Sequence, residues 1–93
     1  MSKLGLVSLT VAMAHELARH KITVNAIAPG FTNTPAAMRS LPKGMEGMVD
    51  QLSPLGQGTP EDAHGALLLL TTAAGAWITG QTLNVDGGWV MRI

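Results

Sequence analysis

The sequence lacks cysteine altogether, has few aromatic residues, and carries no excess charge of either sign. Without cysteine the chain forms neither disulfides nor thiolate metal sites, which is compatible with a reducing compartment. Six basic and six acidic residues balance, so there is no basic stripe to bind nucleic acid or an anionic membrane. Two tryptophans and one phenylalanine are too few for a base-stacking platform. Composition therefore favours small-molecule or protein partners and no nucleic acid.

Long hydrophobic runs are also missing. The longest apolar stretch, at residues 66–70, is too short to span a bilayer, and residues 1–20 lack the charged start and cleavage site of a signal peptide. We therefore expect a cytoplasmic protein without a membrane partner. A chain of this length suits one small domain with a limited core. With no repeat and no linker visible, residues 1–93 are interpreted as one segment.

The first half of the chain alternates a helical pattern with a strand pattern. Ser2 can cap a helix that runs to about Arg19, and apolar residues cover more than one face of that helix. Residues 22–28 are β-branched and aliphatic, which predicts a short buried parallel strand stopped by the Pro-Gly pair that follows. Residues 31–58 are rich in proline and glycine and predict a mobile, lid-like loop.

The second half repeats the alternation. Thr59 followed by Pro-Glu-Asp predicts a capped helix from Pro60 to about Ala74, ended by Gly75. Residues 81–85 then predict a second strand before an Asp-Gly-Gly turn. Two strands joined by a helix predict a right-handed parallel crossover, and the expected class is α/β.

The segment from Pro29 to Thr34 is a candidate ligand contact. In an open parallel sheet a ligand lies beyond the carboxyl ends of the strands, where backbone groups and short polar side chains can meet it. An ordinary tight turn explains this segment about equally well from spacing alone. The neighbouring motifs are needed to separate the two interpretations.

Four motifs follow one another along the chain: SK at 2–3, NAIAPGFTNT at 25–34, PLGQGTPEDA at 54–63 and ITGQTLNVDGG at 78–88. Together they resemble the C-terminal part of the short-chain dehydrogenase/reductase family. The resemblance covers nearly the whole chain, with the motifs in the right order at fitting spacings. It implies the C-terminal part of a Rossmann-type, doubly wound parallel sheet. It also implies NAD(P)-dependent oxidation or reduction of carbonyl and alcohol groups on a small-molecule substrate, with NAD or NADP as cofactor.

The resemblance also implies individual roles. Lys3 matches the lysine of the family's Tyr-x-x-x-Lys motif, which holds the nicotinamide ribose hydroxyls and lowers the pKa of the tyrosine. Pro29, Gly30 and Phe31 match the backbone run beside the nicotinamide, and Thr34 matches the hydroxyl that meets its carboxamide or phosphates. Lys3 is thus the candidate catalytic residue, and all five are candidate cofactor-binding residues. The three histidines are not spaced as metal ligands, so no metal site is expected.

Departures from the family pattern limit what this chain is expected to do alone. The sequence contains no tyrosine, and the glycine-rich phosphate turn, the acidic ribose ligand and the catalytic serine and asparagine of the family belong to an upstream half. We expect a truncated C-terminal portion that starts at an internal methionine, is inactive alone, and binds the cofactor weakly or not at all. The alternative hypothesis is a catalytically dead remnant that acts as an oligomerisation or interaction module.

Several residues also have simpler interpretations. Without its tyrosine, Lys3 is more simply a solvated lysine than a catalytic group. The run at 56–58 is explained by a turn, and Glu61 and Asp62 are explained by the dipole of the helix they begin. The apolar faces of the first helix exceed what one other helix and two strands can cover. We therefore expect a homo-oligomer, or a complementing N-terminal portion as partner, on surfaces that include Leu4, Val7, Val11 and Leu68.

Overall fold

A computed structural model of the chain describes residues 2–30, 39 and 53–89. Its helices are α1 at Lys3–Leu17 and α2 at His64–Thr71, its strands are β1 at Ala26–Pro29 and β2 at Thr82–Val85, and 3-10 turns occupy Ala18–His20, Pro60–Ala63 and Ala73–Gly75. The order of helices and strands confirms the α/β class. Most of the lid-like loop predicted at 31–58 lies outside the described residues.

The two strands pair directly in one sheet. The Ala26 N–H donates to the Gln81 carbonyl at 2.9 Å, and the Gly30 N–H donates to the Val85 carbonyl at 3.0 Å. Donor and acceptor advance along the chain together, so the strands are parallel, as the sequence predicted.

α1 begins where the sequence predicts. The Ser2 hydroxyl accepts a hydrogen bond from the Gly5 N–H at 3.0 Å and so satisfies a backbone donor of the first turn. The α-helix ends at Leu17, slightly before the predicted end, and tightens into a 3-10 turn. Lys21 then adopts the left-handed conformation, with φ of 61°, and its N–H donates to the Ala18 carbonyl at 2.9 Å.

The first strand starts later than predicted. Residues 22–28 were expected to form it, but β1 covers Ala26–Pro29. The start is delayed because the Val24 N–H bonds the side-chain hydroxyl of Thr79, at 3.0 Å, instead of a backbone carbonyl. Pro29 was expected to stop the strand but is its last residue. Backbone groups of successive strand residues point to opposite edges, so the donor that proline lacks would face away from β2.

The second helix is shorter than predicted. A continuous helix over about 60–74 was expected, but the segment opens with a 3-10 turn, and the α-helical part is α2 alone. The hydroxyls of Thr71 and Thr72 donate to the carbonyls of Leu67 and Leu68, at 2.6 and 2.8 Å. Such bonds compete with the backbone pattern and favour the end of a helix. β2 agrees with the predicted 81–85 to within one residue.

The chain forms two compact units, one of Met1–Ala28 with Gly65–Leu83 and the other of Pro29–His64 with Asn84–Ile93. In the first, Ala14 is the one hydrophobic side chain that counts as buried among the described residues. The apolar side chains of its helices that stay exposed are Leu4, Leu6, Leu9, Val11, Met13, Leu67, Leu68 and Leu69. Trp77, in the same unit, is 99% exposed. Within the described residues, no helix is both long enough and apolar enough to cross a membrane.

Candidate functional site

Pro29 and Gly30 are placed where the sequence predicted, at the carboxyl end of β1. Pro29 is exposed and Gly30 is half-buried. Because the Gly30 N–H is bonded to the Val85 carbonyl and Pro29 has no N–H, neither residue has a free backbone donor for a ligand. Phe31 and Thr34, the other two predicted contacts of the cofactor in this segment, lie outside the described residues.

Glycine at position 30 is required by close packing. A Cβ built on Gly30 would lie 2.8 Å from both the Cα and the Cβ of Asp86, which is closer than carbon atoms pack. Asp86 begins the turn that follows β2, and its side chain accepts a hydrogen bond from the Gly88 N–H at 3.0 Å. Gly87 and Gly88 both have positive φ, 64° and 93°, which glycine adopts without strain. The end of β1 is thereby packed against a turn that only a specific sequence can form.

The second unit contains a cleft of about 280 Å³ beside this strand end. Its volume is slightly below the 300–1,000 Å³ that is typical of small-molecule pockets. The lining residues are Pro29, Leu55, Gly56, Gln57, Gly58, Thr59, Asp62, Ala63, Val85, Asp86 and Gly87. Five residues were predicted to contact the cofactor. Among those that the structure describes, Pro29 is the one that lines this cleft.

The polar groups of this cleft are largely used internally. The Asp62 carboxylate accepts the Thr59 N–H at 2.7 Å, and the Thr59 hydroxyl lies 3.4 Å from the same oxygen. The Asp62 carboxylate thus stabilises the start of the helical segment through a hydrogen bond, while the dipole explanation given for Glu61 and Asp62 stays a prediction. The Gly56 N–H donates to the Ser53 carbonyl at 2.7 Å, which agrees with a turn at 56–58.

These contacts bear on the fit of a dinucleotide. Its pyrophosphate normally sits at a glycine-rich helix start, where free N–H groups and the helix dipole meet the anion. At the helical segment that begins at Pro60, the Asp62 carboxylate already accepts the Thr59 N–H. Its negative charge would repel a phosphate. The other described start, at Lys3, is capped by Ser2 and not by a glycine-rich turn. The described residues therefore do not by themselves fit a dinucleotide.

Lys3 lies in the first turn of α1 and is exposed. In the part of the chain that the structure describes, the one ion pair joins Arg19 to Glu16, so Lys3 is not neutralised by a neighbouring carboxylate there. An exposed ammonium group at a helix start is compatible with the role that the family resemblance implies and equally with a solvated side chain.

The sequence placed Asn25 in a motif but did not predict the hydrogen bonds that its side chain makes. Its Nδ2 donates to the Ile78 carbonyl at 3.0 Å, and its Oδ1 accepts the Gln81 N–H at 3.1 Å. One carboxamide thus joins the entrance of β1 to the loop before β2. The available signal was a lone amide side chain at the edge of an apolar strand, because a partly buried polar group usually has hydrogen-bond partners.

Comparisons with known proteins agree with this geometry. The family model described as enoyl-(acyl carrier protein) reductase matches residues 1–90. The chain is 43% identical over 93 residues to an uncharacterised oxidoreductase of Mycobacterium tuberculosis. It is 41% identical over 91 residues to the 3-oxoacyl-[acyl-carrier-protein] reductase of Rickettsia felis and 38% identical over 93 residues to the 2-dehydro-3-deoxy-D-gluconate 5-dehydrogenase of Escherichia coli.

These alignments cover 99%, 97% and 98% of this chain, but only 38%, 37% and 37% of the relatives. The chain therefore spans little more than a third of the length of the relatives it matches.

Solved structures give the same result. A crystal structure assigned as a gluconate dehydrogenase of Agrobacterium tumefaciens superposes with a TM-score of 0.87 at 31% identity, over 96% of this chain and 36% of that one. A 4-hydroxyisoleucine dehydrogenase complexed with NADH superposes with a TM-score of 0.82 at 30% identity, over 95% and 37%. The family model matches almost the whole chain, and a related reductase and a solved dehydrogenase align with it over nearly all of its length. This chain therefore belongs to the short-chain dehydrogenase/reductase family.

Proposed function

We propose that this chain is the C-terminal part of an NAD(P)-dependent oxidoreductase domain that interconverts carbonyl and alcohol groups, and that these 93 residues alone do not turn over substrate. The match to the family over residues 1–90 is the observation that carries the proposal. The cytoplasm is its proposed location. The relatives and solved neighbours are oxidoreductases, which does not favour the alternative of an interaction module.

In this proposal Lys3 binds the nicotinamide ribose, and the segment from Pro29 to Thr34 lies beside the nicotinamide. The cofactor supplies or accepts the hydride, and the proton donor is a tyrosine, of which this sequence has none. Cofactor binding to the 93 residues is weak because the described residues form no binding site for the pyrophosphate. Titration calorimetry with NAD and NADP tests this directly, and micromolar affinity would contradict it.

The partner is a polypeptide that supplies the remaining part of the domain, or a second copy of this chain, or both. The many exposed apolar side chains of α1 and α2 support a partner of some kind, because large apolar side chains that stay exposed together often belong to contact surfaces. A complementing portion would add the tyrosine and the pyrophosphate-binding site, whereas a second copy of this chain would add neither.

The test is complementation. NADH and NADPH oxidation is followed with a panel of small ketones, first with this chain alone, then with a separate polypeptide that carries the part of the Rickettsia felis reductase this chain does not cover. We expect a background rate alone and turnover in the mixture. Lys3→Ala should lower the rate of the mixture by about 10²-fold or more, the scale of a lost group in acid–base catalysis. Turnover by the chain alone that Lys3→Ala abolishes would contradict the proposal, as would a mixture that stays inactive although the two polypeptides bind.

A further inference from the structure

Gly30 and residues 53–55 are far apart in the sequence, yet both contact the turn at 86–88 that follows β2. The contact with Gly30 is the close approach to Asp86 described above. The contact with residues 53–55 lies on the next residue of the turn, and all of these residues belong to the second compact unit. The intervening residues, 31–52, are therefore flanked on both sides by positions that one turn contacts.

The contact at 53–55 combines a backbone hydrogen bond with close packing. The Leu55 N–H donates to the Gly87 carbonyl at 3.0 Å. A Cβ built on Gly87 would lie 3.3 Å from the Gly56 carbonyl oxygen and 3.5 Å from the Cβ atoms of Leu55 and Ser53. Ser53 is only 3% exposed, whereas the Leu55 residue is 86% exposed, so Leu55 takes part mainly through its backbone.

The turn at 86–88 is held in a conformation that favours glycine. The Gly88 N–H donates to the Asp86 side chain at 3.0 Å, and Gly87 has φ of 64°. A larger residue at position 87 would be strained in this conformation and would also crowd the segment at 53–55. The turn thus contacts the end of β1 through Asp86 and the segment at 53–55 through Gly87.

We propose that Gly87 is a positioning residue that, through the turn at 86–88, holds Gly30 and residues 53–55 in fixed places. It thereby fixes the two points between which the intervening chain runs. The inference rests on the proposed function for its meaning, because the family resemblance places the residues directly after Gly30 beside the nicotinamide. In this role Gly87 acts through its two neighbouring contacts and not by binding the cofactor itself.

The first test measures amide hydrogen exchange in the 93-residue chain, which is independent of turnover. The Gly30 and Leu55 amides report the two contacts, because they donate to the carbonyls of Val85 and Gly87. Gly87→Ala adds a methyl group at the crowded position. We expect protection of both amides to fall about fivefold or more, the lower end of the cost of overfilling a packed site, while amides in the middle of α1 change less.

Gly56→Ala is the matched control for backbone strain. Gly56 also has a positive φ, 87°, but no atom lies within 4 Å of its added Cβ. This variant should leave the Gly30 amide protected. An equal loss at Gly30 in both alanine variants would mean that strain alone suffices, and it would reject the role of Gly87. The same conclusion follows if Gly87→Ala keeps both amides protected, or if they are unprotected in the unmodified chain.

A second pair of variants decides the question if Gly87→Ala does not fold. Leu55→Pro removes the N–H that donates to the Gly87 carbonyl and leaves the sequence of the turn intact. Its control, Leu55→Ala, shortens an exposed side chain and keeps the N–H. If the turn links the two contacts, the Gly30 amide should lose about twofold or more of its protection in Leu55→Pro, the lower end for one lost hydrogen bond, and none in Leu55→Ala. An unchanged Gly30 amide in Leu55→Pro would show that the two contacts are independent and would overturn the proposal.

Turnover provides a measurement that a purely structural role would not change. In the complementation mixture, with the two polypeptides fully bound, Gly87→Ala should lower kcat about tenfold or more. The KM for the cofactor should change less, because most of the affinity for a dinucleotide comes from its pyrophosphate. Gly65→Ala, which adds a methyl group in open space on α2, should keep kcat.

An unchanged kcat in Gly87→Ala would contradict the positioning role and leave the proposed function intact. An unmodified mixture that binds but stays inactive would contradict the proposed function instead. In that case the exchange measurements alone decide whether Gly87 links the two contacts.

Discussion

Replacing Gly30 by alanine tests whether this position is glycine because of packing. The added Cβ would lie 2.8 Å from the Asp86 Cα and Cβ, and carbon atoms at optimal contact are about 3.5 Å apart, so the strand end and the turn must separate by about 0.7 Å. The nearest atoms include backbone, which cannot rotate away as the end of a flexible side chain could. A displacement of that size would also lengthen or bend the 3.0 Å bond from the Gly30 N–H to the Val85 carbonyl, and so weaken it.

The expected cost is about 1–3 kcal/mol, the range for overfilling a packed site. Because urea unfolding of small domains has a slope of about 1 kcal/mol per molar, the midpoint should fall by about 1–3 M when unfolding is followed by circular dichroism. Gly65→Ala is the matched control. No atom lies within 4 Å of its added Cβ, and a helical glycine replaced by alanine gains about 0.5–1 kcal/mol. The two alanine variants should thus shift the midpoint in opposite directions, and a Gly30→Ala midpoint within about 0.5 M of the unmodified chain would refute the packing argument.

Three further substitutions test other contacts of the chain. Gly75→Ala would bring a Cβ into the Leu69 carbonyl oxygen, so we expect a loss of about 1–3 kcal/mol or more in the same urea assay, and an unchanged midpoint would contradict it. Asp62→Ala removes the carboxylate that accepts a backbone N–H at the start of the second helical segment, and thermal unfolding should show a loss of about 0.5–2 kcal/mol. Leu4→Glu introduces a charge on the apolar surface of α1, at a position where the leucine side chain is 77% exposed. Light scattering after size exclusion should show weaker self-association for this variant than for the control Ser8→Glu. A compact monomer in the unmodified chain at low micromolar concentration would show that this surface needs no partner.

The amino-acid sequence alone determined the class, the order of elements and the family. Ser2 and Asp62 act locally, because a side chain one turn away from a helix start can reach the unpaired N–H groups, and both starts appear where these residues predict. The Asp-Gly-Gly turn is equally local, since positive φ at Gly87 and Gly88 follows from residues that tolerate it. Four motifs at fitting spacings were enough to identify the family, because the residues of a motif and the distances between motifs along the chain can be read directly from the sequence.

Tertiary contacts decided the boundaries and the fixing of the strand pair. β1 starts at Ala26 and not at residue 22 because the Val24 N–H is taken by Thr79, a residue 55 positions away that no local pattern identifies. The Asn25 carboxamide likewise finds its partners at Ile78 and Gln81 only once the chain has folded back. Local sequence encodes which conformation a segment prefers, whereas the register of parallel strands depends on hydrogen bonds between residues more than fifty positions apart. Only the folded chain brings those residues together.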